Sequence, residues 1–229
     1  MMPPPIRAVT AMRGAIEKFM QTKLSAYWIC LAVTALLATA IAFAFADEEV
    51  AQFFSGNLGK LSLIGQGLGT AVVLSADAAL ALALVLLRML RGRENFPQFY
   101  RAVVLACLTS ICAFAINDGV LKLLFGVPNP FDVLIRGYRH GFHLLAGSRE
   151  NSFPSGHMIL ASSFAGVMMK LYPKTAGFLA ILLLIAAVAL IVGGWHFVSD
   201  VIAGTSLGVG LGYFVGVLWL DHTNRAPDR

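Results

Sequence analysis

Two short stretches carry residues that can handle a phosphate: Phe153-Pro154-Ser155-Gly156-His157, and His196-Phe197-Val198-Ser199-Asp200 further along, each set between strongly apolar runs. A histidine followed four residues later by an aspartate puts both side chains on one helical face. There the carboxylate can hold the imidazole in one tautomer and stabilise its cationic form. Ser155-Gly156-His157 at a helix start offers backbone N–H groups to an anion, and His157 can give up a proton. Together they read as one phosphate-handling site.

The elements that must position these residues are membrane helices. The chain of 229 residues is 58% hydrophobic and 13% charged, with a mean hydropathy of +0.78, which excludes an ordinary soluble domain. Six stretches can cross roughly 30 Å of hydrocarbon as helices: 26–46, 68–90, 100–121, 155–171, 175–194 and 201–220. The expected fold is all-α, a polytopic six-transmembrane-helix bundle over 24–221. Residues 1–23 form a cytoplasmic tail or an interfacial helix around Met12, Ile16 and Met20, and 222–229 a cytoplasmic tail.

Orientation follows from the 17 Lys and Arg residues. Twelve of them fall before the first span, around the second connection, between spans four and five, and after the last; Lys60, Lys122, Arg136, Arg139 and Arg149 fall on the other side. Both termini are therefore expected in the cytoplasm. The net charge of +5 is a topology signal, and with no basic stripe on a soluble surface nucleic-acid binding is not expected. Ala44-Phe45-Ala46 has the form of a signal-peptidase site, but its apolar run exceeds the roughly 7–15 residues of a signal peptide. It is read as an uncleaved span. Cys30, Cys107 and Cys112 all lie within spans as small apolar residues, with no disulfide or zinc site indicated.

Several other features have plain structural readings. Residues 47–67 mix acids with apolar side chains and read as an interfacial segment; Gly65-Gln66-Gly67-Leu68-Gly69 lacks the βαβ context of a nucleotide loop and reads as a helix entrance. Gly204, Gly208, Gly212 and Gly216 clear one face of the last span for close packing inside the bundle, a homodimer contact being the alternative. Asp118 precedes Lys122 by one helical turn, so an ion pair is expected. Asp77 sits at membrane depth with no partner evident in the sequence. His140, His143 and His222 read as polar interface anchors. The connection 126–153, rich in His, Arg and aromatic residues, is long enough to be functional.

The six-span arrangement brings Lys122, Ser155 to His157, and His196 to Asp200 to the non-cytoplasmic face. At these residues the chain resembles the type 2 phosphatidic acid phosphatase superfamily, membrane lipid phosphatases and phosphotransferases related to vanadium haloperoxidases. The family pattern is a Lys with Arg-Pro after six residues, then Pro-Ser-Gly-His, then Ser-Arg, five residues, His, three residues and Asp. Here the first part runs from Lys122 to Asn129-Pro130, the second is complete at Pro154 to His157, and the third keeps His196 and Asp200. Asn129 stands where the first arginine belongs, and Ala189-Leu190 where the Ser-Arg pair belongs. Asn brings no charge and no five-donor fork. Arg136, Arg139 or Arg149 can supply the charge instead, Arg149 being nearest in sequence to Ser155.

The resemblance implies that His196 attacks phosphorus and Asp200 orients it. It implies that His157 serves alternately as general acid and base. Lys122, Ser155 and Gly156, with Asn129 and Arg149 as further candidates, would hold the non-bridging oxygens. No metal or other cofactor is called for. The expected activity is hydrolysis of a lipid phosphate or diphosphate at the periplasmic face of a bacterial inner membrane, with bilayer lipid as the partner. A headgroup phosphotransferase and a catalytically weakened lipid-phosphate binder are the alternatives.

Overall fold

The computed structural model describes residues 26–55, 74, 78, 81–89 and 97–225. The tail 1–23, Lys60, Gly65 to Gly69, Asp77 and most of the expected second span lie outside them. The described residues are mostly helical, with no strand among them: α1 (Ala26–Phe45), α2 (Asp47–Ser55), α3 (81–89), α4 (Gln98–Ile116), α5 (Lys122–Phe125), α6 (Pro130–Leu134), α7 (Gly156–Leu171), α8 (Ala176–Val192) and α9 (Val198–Arg225). Among the described residues, four stretches are long and apolar enough to cross a membrane: Ala26–Phe45, Gln98–Leu134, Pro173–Val192 and Val198–Thr223. Their outward faces carry exposed Leu36, Leu37, Leu184 and Ile185, side chains suited to acyl chains rather than water.

The expected fourth span corresponds to α7, whose 16 residues rise about 24 Å. α7 is the central helix, packed by α9, α4 and α8, with Met158, Ala165 and Val167 buried. Polar groups bridge these helices inside the bundle, as apolar packing alone gives little preference between protein and lipid. Ser110 Oγ donates to the Leu160 carbonyl, and Ser162 Oγ donates to Gly204 O at 3.3 Å.

The glycine face of α9 lies against α7. A Cβ at Gly208 would fall on Ser162 Oγ, one at Gly212 on the Ser163 carbonyl, and one at Gly204 within 2.7 Å of Ser155 O. Most of these obstacles are backbone, which cannot swing aside. Gly212→Val is therefore expected to destabilise the bundle by about 3 kcal/mol or more, read as a lowered thermal midpoint in detergent. Gly210, with open space around it, should tolerate the same change with little effect.

The connection 126–153 closes the end of α5. Helix-terminal carbonyls lack intrahelical partners, and here His143 N–H donates to Phe125 O (3.0 Å), Leu145 N–H to Leu124 O (2.9 Å) and Gly147 N–H to Leu123 O (3.1 Å). Gly126 turns the chain at φ +63°, where a side chain would strike the His143 carbonyl. Phe125, Phe142 and Phe153 meet edge to face with centroids 5.2–5.9 Å apart, and Phe43 of α1 stacks on Phe142 at 4.6 Å. The connection is thus fixed to both α5 and α1.

Candidate active site

Ser155 starts α7 as its N-cap: its hydroxyl accepts from Met158 N–H at 3.3 Å, while its own N–H donates to Asp200 O at 3.1 Å. That second bond joins the start of α7 to the start of α9. Gly156 follows in a confined place, where a Cβ would lie 3.1 Å from Phe114 and 3.3 Å from Asn117 Nδ2. Asn117 is fully buried in a π-helical turn, Asn117–Leu121, and donates to Pro154 O at 3.2 Å. This irregular turn, of a kind frequent at functional sites, ties the end of α4 to the Ser155 loop.

His196 precedes α9. Its Nδ1 faces Asp200 Oδ2 at 3.4 Å, and its Nε2 meets His157 Nδ1 at 3.0 Å. Asp200 Oδ2 also accepts from Phe197 N–H at 2.8 Å, the carboxylate half of a capping box on α9. One oxygen of Asp200 therefore faces both the helix terminus and the imidazole. The line Asp200, His196, His157 joins carboxylate to two rings, and Nε2 is the only His196 nitrogen turned away from the carboxylate. A phosphoryl group reaching Nε2 must open the contact between the two imidazoles.

Burial, reinforced by the charge of Lys122, pushes His196 down from its ordinary value to about 3. The ring is neutral at physiological pH, as a nitrogen nucleophile requires. Ser152, buried next to Phe153, ties the connection together there: its N–H donates to Val127 O at 2.9 Å and its hydroxyl to Pro128 O at 3.1 Å. Sequence reasoning misses this residue, because a serine in a loop carries no signal of its own.

The other expected site residues divide. Lys122 Nζ makes the expected ion pair with Asp118 at 2.9 Å and donates to Arg149 O at 2.9 Å. Arg149 offers that carbonyl from a turn where its side chain is exposed. Asn129 caps α6: its Oδ1 accepts from Asp132 N–H at 2.9 Å, and its Nδ2 donates to Asp132 Oδ2 at 2.8 Å and to Glu150 O at 3.4 Å. Arg136 pairs with Asp132 at 2.9 Å. Beside these groups the connection forms an open cleft of about 440 Å³, lined by Arg136, Tyr138, Arg139, Glu150 and Asn151 among others.

His140 departs from its reading as an interface anchor. Its side chain is enclosed between Phe43 and Phe197, with centroids 4.4 and 4.5 Å away, and faces Asp47 Oδ2 at 3.5 Å. Asp47, expected in an interfacial segment, is 1% exposed and accepts from Ser199 N–H at 2.9 Å and Ser199 Oγ–H at 2.5 Å.

Comparison with known proteins agrees with the geometry. The family model of the PAP2 superfamily matches residues 99–224, more than half of the chain and all three motif regions. Among solved structures, the chain is similar to a transmembrane PAP2-type phosphatidylglycerolphosphate phosphatase from Bacillus subtilis, at 19% identity and a TM-score of 0.44, over 88% of this chain and 98% of that one. No curated protein matches. The motifs at Pro154 to His157 and His196 to Asp200, and a family match spanning α4 to α9, identify this chain as a membrane protein belonging to the PAP2 superfamily.

Proposed function

We propose that the protein hydrolyses a lipid phosphate or diphosphate at the periplasmic face of a bacterial inner membrane, through a phosphohistidine at His196. The observation that carries this reading is the line of Asp200, His196 and His157, with contacts of 3.4 and 3.0 Å, beside the N-terminus of α7. His196 Nε2 attacks phosphorus as the bond to the lipid oxygen breaks, and His157 delivers a proton to that oxygen. Water then attacks the phosphohistidine, His157 takes its proton, and inorganic phosphate leaves with His196 restored. Lys122 and the Gly156 N–H stabilise the equatorial oxygens, the Ser155 N–H being engaged by Asp200 O. The polar cleft of the connection takes the headgroup, and acyl or prenyl chains lie between helices in a six-span bundle.

The test is phosphate release by detergent-purified protein from phosphatidic acid, phosphatidylglycerol phosphate, undecaprenyl diphosphate and a phosphorylated saccharolipid, with His196→Ala in parallel. Histidine-dependent release supports the reading and ranks the substrates. The second reading, headgroup transfer, draws on Asn129, Ala189 and Leu190 standing where the family has its arginine motifs, because a phosphodiester donor carries less charge than a terminal phosphate. A new lipid product that depends on added alcohol would select it. Binding without release or exchange would leave a lipid-phosphate binder.

Arg149 is the candidate substitute for a lost arginine. Arg149→Ala is expected to weaken inhibition by inorganic phosphate about tenfold, the scale of one charge-assisted hydrogen bond, and Asn129→Arg to strengthen it. Equal inhibition in both variants and the parent protein would leave Lys122 and the Gly156 N–H as the phosphate clamp.

A further inference from the structure

We propose that Asp47 is a positioning residue for the Asp200–His196 pair, holding the first turn of α9 through Ser199 from the chain just beyond α1, with His140 clamping its carboxylate from the other side. The inference rests on the catalytic reading of His196. It concerns a residue outside the three family motifs and 152 positions from its partner.

The first turn of a helix has N–H groups that no intrahelical carbonyl can satisfy. In α9 two of these donors are served by carboxylates from different parts of the chain: Phe197 N–H by Asp200 Oδ2 at 2.8 Å, and Ser199 N–H by Asp47 Oδ1 at 2.9 Å. Ser199 Oγ–H fills the second oxygen of Asp47 at 2.5 Å. Both carboxylates also sit at the positive end of a 28-residue helix. Because Ser199 adjoins Asp200, a displacement of Ser199 is passed directly to the carboxylate facing His196. The same turn accepts Ser155 N–H at Asp200 O, so it also aligns the loop that carries His157.

His140 completes the arrangement from the connection. It stands 3.5 Å from Asp47 Oδ2 and 3.6 Å from Glu48 Oε1, and its ring is held between Phe43 of α1 and Phe197 beside His196. A surface anchor would not need such enclosure; a buried carboxylate does need a polar neighbour. The titratable groups around Asp47 are therefore His140 from the connection, Asp200 from α9 and Glu48 from its own helix. Burial and the like charge of Asp200 push Asp47 up to about 6, while the Ser199 bonds and His140 pull it down. As the pH falls through about 6, Asp47 gains a proton and exchanges an acceptor for a donor toward Ser199 Oγ. The hold on α9 then weakens.

The test uses the full chain labelled with ¹³C-histidine in detergent micelles, comparing Asp47→Asn, Asp47→Ala and Ser199→Ala with the parent protein. Among the five histidines, His196 is assigned by loss of its signal in His196→Gln, and His222 at the far end of α9 serves as the remote control. A positioning role is expected to shift the His196 ring resonance in Asp47→Ala and Ser199→Ala while His222 stays fixed. It should also lower kcat about tenfold or more at unchanged KM, with part of the loss recovered in Asp47→Asn, which keeps an oxygen for Ser199 N–H. A step in the His196 resonance near pH 6 should vanish in Asp47→Asn. An unmoved His196 resonance in all three variants, with the step retained in Asp47→Asn, overturns the proposal. If Asp47→Ala does not fold, Asp47→Asn and Ser199→Ala decide. If the parent protein releases no phosphate, the functional reading fails while the resonances still decide the positioning.

Discussion

Replacing His196 with alanine is expected to lower phosphate release by about 10⁴-fold or more, the scale of losing a covalent nucleophile. The reason is geometric. Nε2 is turned toward His157 and away from Asp200, and neither His157 nor Lys122 can take over its attack along the same line. Acid-quenched samples are useless for trapping, since phosphohistidine is acid-labile; alkaline quenching of protein incubated with ³²P-labelled lipid should retain label in the parent and none in the variant. Label retained in His196→Ala would move the nucleophile elsewhere.

The same variant carries a pH prediction. His196 is held at about 3 in the folded protein, below its ordinary value of 6.5, so the unfolded chain binds a proton over a range where the folded one does not. A depressed folded pKa contributes stability that is present above about 6.5 and is lost as pH falls toward about 3. His196→Ala removes that loss. The fall in thermal midpoint between about pH 7.5 and about pH 5 should be smaller in the variant than in the parent, even though the cavity lowers the variant's midpoint at both. An equal fall in the two proteins would mean that the ring is not kept neutral by burial.

How much was legible beforehand depended on the distance over which each residue finds its partner. His196 and Asp200 are four residues apart, as are Asp118 and Lys122, so each pair meets over a short stretch of chain, although His196 stands just before α9 rather than on its face. The glycine spacing in α9 likewise announced close packing, and α7 supplies the neighbour. Asp47 and His140 are different. Their partners lie on other elements, and an acid after a membrane span or a histidine in a polar loop ordinarily meets water. Only the approach of α1 and the connection to the start of α9 buries them. α7 is different again: hydropathy marks it as an apolar helix, but that it is the central one shows only in the structure, where its small residues and buried serines let the other helices pack around it.

His157 should separate the two halves of the reaction. His157→Gln removes the proton donor to the leaving lipid oxygen and is expected to slow lipid phosphate hydrolysis by about 10²- to 10⁴-fold. A nitrophenyl phosphate needs no such proton, because its leaving group departs as a stable anion. With it, His196 should still attack, and Nε2 is no longer engaged by the 3.0 Å contact with the second imidazole. Hydrolysis of the phosphohistidine still needs a base to activate water, and glutamine cannot supply one. The variant should therefore give a burst of nitrophenol approaching one equivalent per chain, followed by slow turnover, with labelled His196 accumulating. The parent protein should show steady release without accumulation. Equal slowing with lipid and nitrophenyl substrates, and no burst, would argue that His157 merely orients His196. The burst would show the two imidazoles dividing nucleophilic attack and proton transfer between them.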